Sequence, residues 1–186
     1  MRGEASEQIQ ISLNVILMYN ESQESGFDEV NNMENNHKWH HRVLFILGFL
    51  LLAAVTLYTI IVYGKIDYEV PTHFNAVGTA DAYGSKSSLV IPLIMGWFLY
   101  VVMTVVGAVP SVWNTGVKVT NKNREKVYSI IRTMLSIHTF AIAAFFSCTV
   151  FCAARGMNLP TAALPVFLIA VFGTIAISVI RLVRNR

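Results

Sequence analysis

The chain has 186 residues, 54% of them hydrophobic and only 13% charged, about half the roughly 25% usual in a globular domain. Its net charge of +3 hides an asymmetry: residues 1–34 hold Arg2 against Glu4, Glu7, Glu21, Glu24, Asp28, Glu29 and Glu34, while the rest holds 13 basic residues against 4 acidic ones. Such a composition excludes an ordinary soluble domain, and it scatters the basic residues too widely for a nucleic-acid surface.

Residues 1–38 are rich in Gln, Asn, Glu and Ser and have little to bury, which predicts a polar, disordered cytoplasmic segment. They are acidic where a signal peptide is basic, and their best apolar stretch, 15–19, is too short for one. Codons for Glu29-Val30 can spell a ribosome-binding sequence just upstream of Met33, so Met33 is the expected native start and residues 1–32 an expected mis-assigned extension. His37, His40 and His41 flank Trp39. A partly charged interfacial anchor is the plainer reading of that cluster, and a metal site the sharper one.

Residues 39–186 are predicted to form an all-α, polytopic membrane domain: four transmembrane helices in a bundle, at about 43–63, 89–109, 127–153 and 161–183. None of the four runs contains Asp or Glu, and none shows the polar face a soluble helix needs. Trp39, Tyr63, Trp113 and Tyr128 fall at the run boundaries, where such rings favour the headgroup level. Lys38 and Arg42, then Lys118, Lys122, Arg124 and Lys126, then Arg181, Arg184 and Arg186 lie on one side of the bilayer; Lys65, Lys86 and Arg155 lie on the other. The positive-inside rule therefore places both termini in the cytoplasm and the 64–88 loop outside.

Within the second run, Pro92, Gly96, Gly107 and Pro110 suit helix termination and close packing better than a ligand-shaped break. The third run carries Ser129, Ser136, Ala143 and Ser147 near one face, read as a helix contact. His138 lies about ten residues into that run, either a hydrogen-bonded packing residue or a proton relay. Arg132 is expected to snorkel to the headgroups. Cys148 and Cys152, four residues apart on a helix, are too distant for a disulfide. Gly156 and Pro160 then suit a tight link into the fourth run, as a left-handed C-cap and a first-turn residue.

Most information lies in the loop between the first two runs. Pro71-Thr72-His73-Phe74-Asn75 is followed by Gly78, Asp81 and Gly84-Ser85-Lys86. Physically this reads as a compact cap. Pro71 extends Val70, while Asn75, Gly78 and Gly84 serve turns. Phe74 can bury its ring, and Ser85, Ser87 or Ser88 can cap the second helix. The competing reading makes His73, Asn75, Asp81 and Lys86 a recognition surface for an extracellular peptide or ion. His73 and Asp81 are too few to ligate a metal, and no cofactor is called for. His73, Asp81 and Ser85 supply the residue types of a hydrolytic triad, but without a nucleophile elbow or an oxyanion loop, so a non-catalytic protein is expected.

Those ten positions, at this spacing and between two spans, closely resemble the signature of the domain of unknown function 1648 family of bacterial membrane proteins. The resemblance runs from about Trp39 to about Phe151. The family includes SdpI-like immunity proteins, although this chain lacks their further spans and their cytoplasmic Gly-Arg…Trp…His-Arg motif. It implies a multi-pass protein of the bacterial plasma membrane that recognises an extracellular peptide or toxin, in immunity or in signalling through a cytoplasmic regulator. Pro71, His73, Phe74, Asn75, Gly78, Asp81, Gly84 and Lys86 would be its ligand- or partner-binding positions. The alternative is a small transporter or transporter subunit, with an oligomer open because four helices enclose little polar volume.

Overall fold

The computed structural model describes Met18 and residues 39–185, so the expectations for the acidic segment and for a start at Met33 lie outside the described residues. The chain divides into two compact units, Met1–His40 and His41–Arg186. In the first, the described Trp39 ring meets His40 edge-on, with 5.5 Å between centroids.

Four helices among the described residues are long and apolar enough to cross a membrane: α1 (Trp39–Tyr63), α2 (Val90–Ala108, entered through a 3-10 turn at Lys86–Leu89), α3 (Arg124–Ala154) and α4 (Ala163–Arg184). The protein is thus mostly helical and multi-pass. In hydrocarbon every backbone polar group needs an internal partner, which a helix provides along its whole length. Several side-chain hydroxyls meet the same demand, although the buried Ser147 Oγ has no partner among the described residues. Thr56, Thr59, Thr104, Thr139 and Thr149 each donate to the carbonyl four residues earlier, at 2.7–2.9 Å.

Three helices meet where their side chains are smallest. A Cβ added to Gly96 would lie 2.9 Å from Phe146 Cβ, and one added to Gly48 would lie 3.3 Å from Ala143 Cβ. The third-run stripe lies in this seam: Ser136, Ala143 and Ser147 are buried and Ser129 is half-buried. Two polar stitches join α1 to α2. Trp97 Nε1 donates to Thr56 Oγ1 at 3.0 Å, and the Tyr100 hydroxyl donates to the Phe45 carbonyl at 2.9 Å. Both aromatic residues thereby meet α1 with a polar atom while their rings fill the seam.

Helix boundaries follow local chemistry. Pro92 sits in the first turn of α2, and Pro110 opens a short 3-10 turn after the helix has ended at Ala108. Gly156 takes the left-handed conformation (φ 64°) just past α3, and the Met157 amide donates back to the Cys152 carbonyl at 2.9 Å. Pro160 lies before α4 rather than in it; the Ala163 amide bonds to its carbonyl at 2.8 Å and the helix starts there. Cys148 and Cys152 are free thiols.

Three features depart from expectation. Part of the 64–88 loop is an antiparallel hairpin, β1 (Val70–Phe74) with β2 (Ala80–Gly84), instead of turns alone. α4 contains a π turn at Ile169–Gly173, between Ala163–Leu168 and Thr174–Arg184. His41 is buried in the helical unit, 3.1 Å from Ser136 Oγ through Nδ1, and is not an interfacial anchor.

Candidate functional site

The hairpin is built from its turn outward. Asn75 Oδ1 accepts from the amides of Val77 (3.1 Å) and Thr79 (3.0 Å), and the Asn75 amide donates to the Thr79 carbonyl at 2.9 Å. Such an Asx turn fixes the reversal before either strand contributes. Gly78 completes it at φ 86°, a conformation disfavoured for residues with a Cβ. A Cβ there would also lie 2.5 Å from the Leu159 carbonyl oxygen.

That closeness reflects a clamp. The Leu159 amide donates to the Gly78 carbonyl at 2.8 Å, and Asn158 Oδ1 accepts from the Ala80 amide at 2.9 Å. Nearby, the Tyr68 hydroxyl donates to the Ala154 carbonyl at 2.8 Å, its ring resting against Gly156. The hairpin is therefore docked on the α3–α4 connection. Sequence reasoning missed Tyr68, Asn158 and Leu159, which lie outside the motif; a polar Asn inside a short apolar link was the only signal.

Beneath the strands, Phe74 packs on a cluster of Ile66, Val70, Leu89, Ala153 and Ala154, and Pro71 is buried. Gly84 is half-buried, and a Cβ there would come within 3.0 Å of Thr72 Cγ2. Lys86 turns back to the end of α1, where Nζ donates to the carbonyls of Tyr63 (3.2 Å) and Ile66 (3.0 Å) and stands 5.2 Å over the Tyr63 ring. A cation at a helix C-terminus satisfies carbonyls that the helix leaves open. The expected serine cap does not form: Ser85 precedes the 3-10 turn, but its hydroxyl bonds Ser87 Oγ at 2.6 Å.

Six of the eight motif positions are thus occupied in holding the hairpin: Pro71, Phe74, Asn75, Gly78, Gly84 and Lys86. The other two face solvent together. His73 Nδ1 lies 2.5 Å from Asp81 Oδ1, with the two side chains 67% and 44% exposed. Cross-strand register pairs His73 with Ala82 and Phe74 with Ala80, so Asp81 is the extra residue of a bulge, as Thr72 is on the facing strand. Bulges re-aim side chains, and here one brings the carboxylate to the imidazole. A carboxylate can only accept, so His73 donates from Nδ1. In the neutral ring, Nε2 then carries a lone pair directed away from that bond. The pair can receive a ligand N–H at the imidazole and present a carboxylate oxygen beside it, with exposed Tyr83 and Val77 on the same hairpin.

No group of three or more His, Cys, Asp or Glu suited to a metal occurs among the described residues. His138, the other polar candidate, is buried at the α3–α4 contact. Its Nε2 lies 3.1 Å from the Val171 carbonyl and 2.8 Å from Thr174 Oγ1, at the π turn. Because a carbonyl only accepts, Nε2 carries the proton.

No curated protein and no solved structure matches this chain. Residues 50–96, from within α1 through the hairpin into α2, match the model of the family described as Domain of unknown function (DUF1648), the family that the loop motif resembles, over a shorter stretch than the resemblance spans.

Proposed function

We propose that this multi-pass membrane protein is non-catalytic and uses its hairpin as a rigid platform to recognise an extracellular peptide or toxin. The platform faces outward from a bacterial plasma membrane, with the basic loops and both termini in the cytoplasm. The observation that carries the reading is the division of the motif: six residues immobilise the hairpin, and the two left over form an exposed imidazole–carboxylate pair. Residues on a braced loop can bind without a large ordering penalty. Immunity or signalling through a cytoplasmic regulator is the role such recognition would serve.

The test uses His73→Ala and Asp81→Ala in cells challenged with a secreted peptide toxin. Unchanged membrane abundance with lost protection or lost reporter response supports recognition. A collapse of abundance in both variants would reassign the pair to the scaffold. A phosphatase fused after Lys122 should be inactive and one fused after Val77 active; the reverse result inverts the topology.

A second reading, a small transporter or transporter subunit, is favoured by one observation: a buried histidine bonded to an irregular turn within a span. Irregular helix turns and intramembrane ionisable groups often mark pathways. Unchanged flux in reconstituted vesicles after His138→Leu would remove it.

A further inference from the structure

We propose that the end of the bundle opposite the hairpin is a binding surface for anionic phospholipid headgroups, assembled by Asn123. Three segments converge there: the 109–123 connection, the start of α3 and the end of α4. One side chain ties them. Asn123 Nδ2 donates to the carbonyls of Lys118 and Asn185, both at 3.1 Å, while its Oδ1 accepts from the Thr120 amide at 2.7 Å. Below this knot, Val127, Ile131 and Leu135 pack with Trp113, Val117, Val119 and Leu182, so loop and helices share one apolar floor.

The knot gathers Lys118, Lys122, Arg124, Lys126, Arg181 and Arg184, all exposed, with Glu125 as the one acid among them. None of these cations forms an ion pair among the described residues; Arg124 instead lies 5.5 Å over the Tyr128 ring. At the hairpin end, by contrast, Lys65, Lys86 and Arg155 are balanced by Asp67, Glu69 and Asp81. The excess is therefore local. Trp113 and Tyr128, edge-on at 5.6 Å, lie at the same end, where aromatic rings of a spanning bundle mark the headgroup level. A fixed cluster of cations at that depth, with no ion-pair partner among the described residues, lies within reach of lipid phosphates. The chemistry selects a phosphodiester headgroup with net negative charge, as in phosphatidylglycerol, over zwitterionic phosphatidylcholine.

The experiment titrates the full-length protein in neutral detergent with either lipid and reads lipid retained by native mass spectrometry. Phosphatidylglycerol should bind at least about tenfold more tightly than phosphatidylcholine, and Arg181→Gln or Lys122→Gln should each reduce that preference by about fivefold. Asn123→Ala, which changes no charge, should remove most of it. Equal binding of the two lipids overturns the proposal, and an unaltered preference in Asn123→Ala overturns the assembly of the surface by that residue. If Asn123→Ala does not fold, the double variant Arg181→Gln/Arg184→Gln leaves the knot intact and decides the matter: an unaltered preference there also overturns the proposal. Water-soluble glycerophosphoglycerol serves as the last arm. Failure to displace the lipid supports a membrane-anchored headgroup, whereas displacement at millimolar concentration assigns the surface to a free phosphodiester instead. None of these outcomes depends on what the hairpin recognises.

Discussion

At the hairpin end, Tyr68, Asn75, Asn158 and Lys86 each bond a backbone group of another segment or of the turn itself. At the opposite end Asn123 ties the loop to the end of α4 and Trp113 ties it to the end of α2, while the six cations around Asn123 have no ion-pair partner among the described residues. The contrast shows two ways of finishing a bundle where it leaves hydrocarbon. One end closes over its own backbone and fixes a shape, leaving His73 and Asp81 as the two motif positions not engaged in bracing it. The other keeps its charges available and relies on an apolar floor for its shape. Substituting the bracing residues should therefore damage stability at the first end, whereas neutralising the exposed cations should leave it nearly untouched at the second.

The largest expected effect is Gly78→Ala. The new methyl would stand 2.5 Å from the Leu159 oxygen, at φ 86°. Strain of that kind and loss of the clamp should destabilise the protein by about 3 kcal/mol, read as a lower thermal midpoint in micelles and faster proteolysis within 64–88. A midpoint equal to the native one would mean that the hairpin is not clamped. Lys86→Met comes next. Removing the donor leaves the Tyr63 and Ile66 carbonyls without their cation and should reduce stability by about 2 kcal/mol, while His73 and Asp81 keep their geometry. A midpoint change below about 0.5 kcal/mol would show that water replaces the ammonium at no loss.

How much of this contrast the sequence could disclose depends on the physics behind each part. Spans were readable because hydrocarbon requires some 20 apolar residues in a row, and the helical seam because Ser136, Ala143 and Ser147 recur at helical spacing. The motif's turn residues were readable too, since Asn75 and Gly78 have few other uses in such a loop. The strands were not. Each has five residues, Pro71 argues against pairing, and the bulges at Thr72 and Asp81 destroy the period-two alternation that marks a strand. Asn158 and Tyr68 hid for another reason: their partners lie 78 and 86 residues away, and no local pattern encodes such contacts. The π turn was equally silent, because Ile169–Gly173 reads as ordinary apolar helix. His41 misled, since a histidine beside Trp39 looks interfacial until α3 presents Ser136 to it.

A finer cut at the hairpin end is Asn158→Ala. It removes one acceptor from the Ala80 amide but leaves the Leu159–Gly78 bond in place. That amide is near solvent and can find water, so the expected loss is about 1 kcal/mol. Amide exchange should quicken at Ala80 and not at Leu159. Equal acceleration at both would show that the two bonds open as one unit, a stiffer coupling than separate hydrogen bonds provide.

The smallest effect belongs to the basic end. Lys122→Gln and Arg181→Gln remove exposed charges with no described ion-pair partner, so each should change stability by less than about 0.5 kcal/mol in neutral detergent. Neutralising crowded like charges can even stabilise slightly, because the cations repel one another across a short separation. Raising the salt concentration should shrink that gain, since exposed charges are screened within about 8–10 Å at physiological ionic strength. A loss above about 1 kcal/mol from either substitution would mean that the charge is partnered after all. The two ends would then differ in residue type but not in how they are held together.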